Sequence, residues 1–99
     1  MTETWLTIPG YNGTYEVSNY GQIRNVKGRH PTLLKQARTL NGHRVVKLYL
    51  HGFGTTRRVH RIVWETFKGS RPDSIFHRDN DLTNTRLDNL VIACELAHV

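Results

Sequence analysis

One stretch of this 99-residue chain carries its apolar residues at helical spacing: Val59, Ile62, Val63 and Phe67 stand at i, i+3, i+4 and i+8. The spacing predicts a helix of about two to three turns over residues 59–68, ended by Lys68-Gly69 and kept ended by Pro72. Upstream the period changes. Between Trp5 and Arg24, the turn formers Pro9-Gly10, Asn12-Gly13 and Asn19-Tyr20-Gly21 separate runs in which Tyr15, Val17 and then Ile23 alternate, so two or three short strands are expected. The run Arg-Val-Val-Lys-Leu-Tyr-Leu from Arg44 to Leu50 is β-branched and aromatic. With His51-Gly52-Phe53-Gly54 as the turn and residues 55–59 returning, it reads as a hairpin whose exposed face would carry Arg44, Arg57 and Lys47. The helix is expected to pack on this sheet. The fold class that results is α+β, a small antiparallel β-sheet with one central helix.

Charge narrows the function before any motif does. Residues 1–20 carry a net −2, residues 21–71 a net +11 and residues 72–99 a net −3. A basic middle calls for a polyanion, and an acidic, histidine-bearing segment after it suits phosphodiester chemistry: cations hold the backbone, while acids and imidazoles attract a metal. The cations are Arg24, Lys27, Arg29, Lys35, Arg38, Arg44, Lys47, Arg57, Arg58 and Arg61, all candidate DNA contacts. A two-stranded ribbon fits the DNA major groove, where Arg reads guanine and Lys or Arg grips phosphate. The single cysteine, Cys94, rules out an intramolecular disulfide framework, and no apolar run approaches the roughly 18 residues of a membrane span. The opening Met-Thr-Glu-Thr-Trp lacks the layout of a signal peptide, so a cytoplasmic location is expected. A chain of this length buries about two thirds of its unfolded surface, which favours chemistry at an exposed edge over a deep cavity.

The chemistry-bearing stretch runs from Phe76 through Leu90, with His98 beyond it. His77, Asn89 and His98 follow in that order, and Asp79, Asn84, Leu87, Asn89 and Leu90 form an Asp-x-x-x-x-Asn-x-x-Leu-x-Asn-Leu pattern. Imidazoles beside acids and amides either bind a metal or move protons. Plainer roles fit the same residues: a structural His77, or an Asn89 that caps a following helix. A calcium loop does not fit, because no glycine stands at the sixth position and Leu90 occupies the place of the closing carboxylate.

The His77, Asn89 and His98 order and the pattern between them resemble the HNH motif of phage and intron-associated homing endonucleases. A second, separate stretch is similar to the nuclease-associated module that opens many of them: Trp5, Ile8, Gly10 and Tyr11, then Tyr15, Val17, Ser18, Asn19 and Gly21. The run from Val59 to Phe67 is similar to the helix that precedes the motif, with His60 expected to be a hydrogen-bonded structural residue. The resemblance implies a single HNH endonuclease-like domain over residues 1–99. Its parts would be a β module (1–27), a basic hairpin region (28–58), the helix (59–68) and a C-terminal ββα-metal unit (74–99).

The implied activity is metal-dependent hydrolysis of double-stranded DNA with an ion of the Mg or Mn class, by a monomer or homodimer, the former nicking and the latter able to cut both strands. His77 would be the general base on the first strand. Asn89 would bridge backbone and hold the base in place, and His98, on the closing helix, would ligate the metal with Asp79 as a substitute second ligand. Phe76 departs from the pattern, since relatives carry a coordinating residue immediately before the base. The chain also ends one residue past His98, where relatives continue into a longer helix. These departures keep open a DNA-binding accessory module without catalysis and, as a third reading, an inhibitor or interaction domain.

Overall fold

The computed structural model of the chain describes residues 2–92. Their elements, in order, are β1 (Trp5–Thr7), β2 (Tyr15–Ser18), β3 (Ile23–Asn25), β4 (Thr32–Leu33), β5 (Ala37–Arg38), β6 (Arg44–Leu50), β7 (Phe53–Arg58), α1 (Val59–Lys68), β8 (Ile75–His77), a 3₁₀ turn at Leu87–Asn89 and β9 (Leu90–Ile92). The strands form three antiparallel sheets, β1-β2-β3-β4, β5-β6-β7 and β8-β9. The architecture is α+β.

Alternation sets what each strand buries. In β2, Tyr15 and Val17 are buried, while Glu16 between them pairs with Arg24 of β3 at 2.6 Å. In β6, Val46 and Leu48 are buried, and Lys47 and Tyr49 face out. The β6-β7 turn is tighter than the four residues expected of it. Only His51 and Gly52 lie outside the strands, with φ of 52° and 83°. Two positive φ values in succession match the twist of the strands they join, so Phe53 and Gly54 pair with Leu50 and Tyr49. The short strands β4 and β5 carry no sequence signal that marks them.

Helix α1 occupies the centre of the core. Its buried residues are Val59, His60, Ile62, Val63 and Trp64, a wider face than the stripe of four apolar positions. They meet Ile8, Tyr15, Val17 and Ile23 of the N-terminal sheet and its approach, Val46 and Leu48 of the hairpin, and Leu90 of β9. Each large aliphatic side chain buried here stabilises the fold by roughly 1.5–3 kcal/mol. The helix ends where Gly69 adopts φ 73° and donates its N–H to the Glu65 carbonyl at 3.0 Å. Glycine reaches that left-handed conformation without a Cβ penalty. Among the described residues no helix is long and apolar enough to cross a membrane.

Candidate active site

Strands β8 and β9 pair Ile75 with Ile92, Phe76 with Val91, and His77 with Leu90. Paired residues share a face, so His77 and Leu90 point to the core side and Phe76 and Val91 to the other. His77 is 6% exposed and Phe76 is 44% exposed. The strand register therefore turns the imidazole inward and leaves an apolar ring at the surface.

The loop between the strands is held by its own polar side chains. The Asn89 amide donates through Nδ2 to Asp79 Oδ1 and to the Asn84 carbonyl, both at 2.9 Å, and accepts through Oδ1 from the Asp79 N–H at 3.3 Å. The remaining Asp79 oxygen, Oδ2, accepts from Asn84 Nδ2 at 2.7 Å, and Oδ1 also accepts from the Asp81 N–H at 2.9 Å. Asp81 closes a second turn by accepting from the Thr83 N–H and hydroxyl. These bonds hold both carboxyls below the usual carboxylate range, Asp79 mainly through Asn84 and Asp81 mainly through Thr83. The Arg78 N–H donates to the Asn89 carbonyl at 2.8 Å and the Asn80 N–H to the His77 carbonyl at 3.0 Å. Asn89 thus fixes the backbone that follows His77, and its side chain makes no hydrogen bond to the imidazole.

The N-terminal module supports this loop from outside. The Leu87 N–H donates to the Asn19 carbonyl at 2.8 Å, and the Arg86 guanidinium lies 4.0 Å above the Tyr20 ring. Asn19 is itself fixed by accepting the Thr4 N–H at 2.7 Å, while Ser18 Oγ accepts the N–H groups of Tyr20 and Gln22. The Ser18-Asn19 pair of the first motif is accordingly a turn that docks onto the second. From the hairpin, Arg44 donates to the Thr83 carbonyl at 3.2 Å.

On its core side His77 meets two further histidines. Its ring centroid is 5.1 Å from that of His60 and 6.2 Å from that of His43, and His43 stacks on His60 at 5.1 Å with 25° between planes. Burial and the neighbouring positive groups lower all three, His60 to about 3. For His77, burial and His43 outweigh the opposing pull of Asp79 and Asp81. In all three the lowering favours the neutral ring. His60 is buried as a structural residue would be, yet its Nδ1 has no hydrogen-bond partner among the described residues. His43 carries no periodic signal in the sequence, since it sits where a turn enters β6 and only tertiary packing brings it to His60. His60 could have been read as inward from Val63, Trp64 and Phe67, which continue its own helical stripe.

Four of the ten basic candidates are committed inside the molecule or to its own loops. Arg24 pairs with Glu16 and lies 3.9 Å over Trp5; Arg57 pairs with Glu65 at 3.1 Å; Arg61 donates to the Pro72 and Asp73 carbonyls; Arg44 holds Thr83. The hairpin's outer face corrects the expectation for it. Arg44 shares the parity of the buried Val46 and Leu48, and Arg57 pairs with Val46, so both lie on the helix side. The outer face carries Lys47, Tyr49, Thr56 and Arg58 instead. Among the described residues, the exposed side chains of Lys27, Arg29, Lys35, Arg38 and Arg58 have no hydrogen-bond or ion-pair partner, and Lys47 lies 5.8 Å over Tyr49.

No set of three histidine, cysteine or acidic side chains among the described residues is placed to hold a metal ion. Phe76 has no donor atom, and both Asp79 oxygens are occupied within the turn. The donors described here therefore do not fit a divalent ion. His98, the other expected ligand, lies outside the described residues.

Comparison with known proteins accounts for nearly the whole chain. Residues 3–49 match the NUMOD4 motif and residues 57–98 match the HNH endonuclease family. The DNA endonuclease I-HmuI of Bacillus phage SP01 is 32% identical over 88 residues, which are 87% of this chain and 49% of that protein. A solved structure concerned with DNA binding and cleavage by the HNH homing endonuclease I-HmuI matches with a TM-score of 0.80 at 30% identity, over 96% of this chain and 56% of that one. The chain spans about half the length of these relatives. With a docked N-terminal module, a His77 strand and an Asn89-braced loop, and with both halves matched, the chain belongs to the HNH family of homing-type endonucleases.

Proposed function

We propose that the protein is a DNA endonuclease that binds double-stranded DNA through its basic surface and hydrolyses a phosphodiester at His77. The observation that carries this reading is the Asn89-braced loop directly after His77, in a chain whose fold follows a DNA-cutting relative over 96% of its length. His77 takes a proton from a water molecule, the hydroxide so formed attacks phosphorus, the P–O bond opposite it breaks, and the departing sugar oxygen takes up a proton from water. A neutral imidazole is the form this requires, and burial keeps His77 in it. Asn89 keeps the strand exit rigid, so the imidazole does not swing away from the attacking water. Lys27, Arg29, Lys35, Arg38 and Arg58, whose side chains have no hydrogen-bond or ion-pair partner among the described residues, grip phosphates together with Lys47; Arg24, Arg44, Arg57 and Arg61 brace the scaffold that presents them.

The family resemblance carries with it a divalent ion of the Mg or Mn class, which would stabilise charge on the phosphate and leaving oxygen. His98 is the ligand proposed for it. Asp79 serves the turn, and no step above depends on the ion. The place of action would be the cytoplasm of a bacterial or phage-infected cell.

A second reading, a DNA-binding module without catalysis, is favoured by one observation: Phe76 stands exposed where relatives place a coordinating residue. Plasmid cleavage by wild type and His77→Ala with Mg²⁺, Mn²⁺ or chelator separates the two. Nicked or linear product from wild type with metal, and none from the variant at equal DNA affinity, supports the enzyme. DNA bound but uncut in every metal supports the module.

A further inference from the structure

His60 and His77 are both more than nine-tenths buried, and they face each other across the seam between α1 and β8 with ring centroids 5.1 Å apart. Two imidazoles at that separation can join an N–H of one to a nitrogen of the other. The sealed atoms are the complementary ones: His60 Nδ1 and His77 Nε2 are shut off from water and without partners, as is His43 Nδ1. Among the described residues no carboxylate or carbonyl reaches either of the first two atoms. An unmet polar group is costly when buried, so two in neighbouring rings tend to satisfy each other. The rings are tilted by 57°, so the bond needs a rotation about the side-chain torsions to bring the two nitrogens within reach.

We propose that His60 is the positioning residue of the general base: its Nδ1 accepts a hydrogen bond from His77 Nε2–H and so holds His77 in the tautomer with a bare Nδ1. The inference rests on the assignment of His77 as the base. Its logic is that an imidazole's basic nitrogen is chosen by what the other nitrogen bonds to. Of the two nitrogens of His77, only Nε2 is both sealed and without a partner among the described residues, so Nδ1 is the nitrogen assigned to the water in this proposal. When Nδ1 takes the proton from water, the Nε2–H bond to His60 becomes charge-assisted and strengthens, so the positioning contact also steadies the imidazolium. The partner must itself be uncharged, because an imidazolium at position 60 would present a donor to a donor. Burial above all, and then His77, His43, Arg58 and Arg61 around it, keeps His60 neutral. His60 touches neither water nor substrate in this scheme and acts through His77.

The test has one arm that needs no catalysis. Long-range ¹H–¹⁵N correlation on the ¹⁵N-histidine-labelled wild-type protein at pH 7.5 reads each tautomer, and a scalar coupling across the hydrogen bond reads the contact. The expected result is His77 as the Nε2–H form, with a coupling between His77 Nε2 and His60 Nδ1. An Nδ1–H form of His77 in the folded wild type overturns the proposal, whether or not the protein cuts DNA. The second arm compares cleavage by His60→Phe and His60→Asn. His60→Phe should lower kcat on the order of 10–100-fold, as removal of an orienting partner does, with KM for DNA unchanged. His60→Asn, which keeps an acceptor oxygen, should recover part of that loss and keep the Nε2–H form. Equal loss in both folded variants, or a rise in KM alone, would overturn it. Should wild type cut no DNA at all, the endonuclease reading fails while the tautomer still decides this one.

Discussion

Gly21 and Thr85 meet at the seam between the N-terminal sheet and the loop after His77: a Cβ added at Gly21 would overlap Thr85 Oγ1 and lie 3.2 Å from the Thr85 carbonyl oxygen. Gly21 also has φ of 86°, a region that L side chains rarely adopt. Gly21→Ala should therefore destabilise the protein by about 1–3 kcal/mol from backbone strain alone, with the overlap adding to it. Combined with Thr85→Ala, the loss should be smaller than the two single losses summed, because Thr85→Ala removes the hydroxyl that the new methyl group would strike. Urea denaturation of the two single variants and the double variant measures this. Strict additivity would mean the seam does not carry the strain.

Asn89 supplies two donors and one acceptor to the loop, and its substitutions separate geometry from charge. Asn89→Ala leaves the Asp79 N–H and the Asn84 carbonyl without their partner, at a cost of about 1–3 kcal/mol. Amide hydrogen exchange should quicken at Asp79, and at Arg78, whose N–H bonds to the Asn89 carbonyl.

Asn89→Asp is isosteric but sets a carboxylate oxygen where Nδ2 now lies 2.9 Å from Asp79 Oδ1. Two carboxylates so close cannot both ionise freely, so the introduced group has a folded-state pKa raised above its unfolded one. The destabilisation is then full above the folded pKa and shrinks as pH falls through it. Denaturation at pH 7 and pH 4.5 should show the gap to wild type narrowing on acidification. A gap of constant size would point to shape and not charge.

How much of this was legible beforehand differs by element. Helix α1 was legible because Val59, Ile62 and Val63 repeat at a helical period and Gly69 ends it. The parity of the hairpin was legible in principle: Arg44 is two residues from Val46, and Lys47 is one, so the two cations cannot share a face. Strands β4 and β5, each two residues long, have too few side chains to carry a period. The histidine cluster was beyond reach, because His43, His60 and His77 come from three separate elements and no local rule links them. The internal use of Arg24, Arg44, Arg57 and Arg61 was hidden for the same reason: a charge run gives the sign of a surface, and only the fold shows which charges already have partners.

That partition predicts two kinds of arginine and lysine variant. Lys47→Ala, Lys35→Ala and Arg38→Ala should weaken DNA binding across all sequences and each lower the steepness of its salt dependence, by about 0.9 for every phosphate no longer neutralised. Arg24→Ala and Arg57→Ala should leave that steepness nearly unchanged and instead lower stability, since their partners Glu16 and Glu65 are partly buried. Fluorescence anisotropy over a range of salt, beside a urea melt, distinguishes them. A weaker salt dependence in Arg57→Ala at unchanged stability would return that side chain to the DNA surface.

Acid should loosen the protein through the histidine cluster, and the sign follows from His60. Its folded pKa, about 3, lies below the ordinary 6.5, chiefly because burial disfavours the charged ring and secondarily because His77 and His43 adjoin it. Below 6.5 the unfolded chain takes up a proton on this residue and the folded one does not. The stabilisation from keeping His60 neutral is therefore complete above pH 6.5 and is lost as pH falls from there towards 3. In that window each such histidine changes stability by up to about 1.4 kcal/mol per pH unit. His43 and His77 shift in the same direction and add to the slope. Asp79 and Asp81 do not confuse the reading, because with lowered pKa values their effect on stability sets in only below about pH 5. Urea melts of wild type from pH 8 to pH 5 should show stability falling below about 6.5, and His60→Phe should remove up to one proton's worth of that slope. An unchanged slope in a folded His60→Phe would mean that His60 titrates alike in both states and that the cluster is open to water.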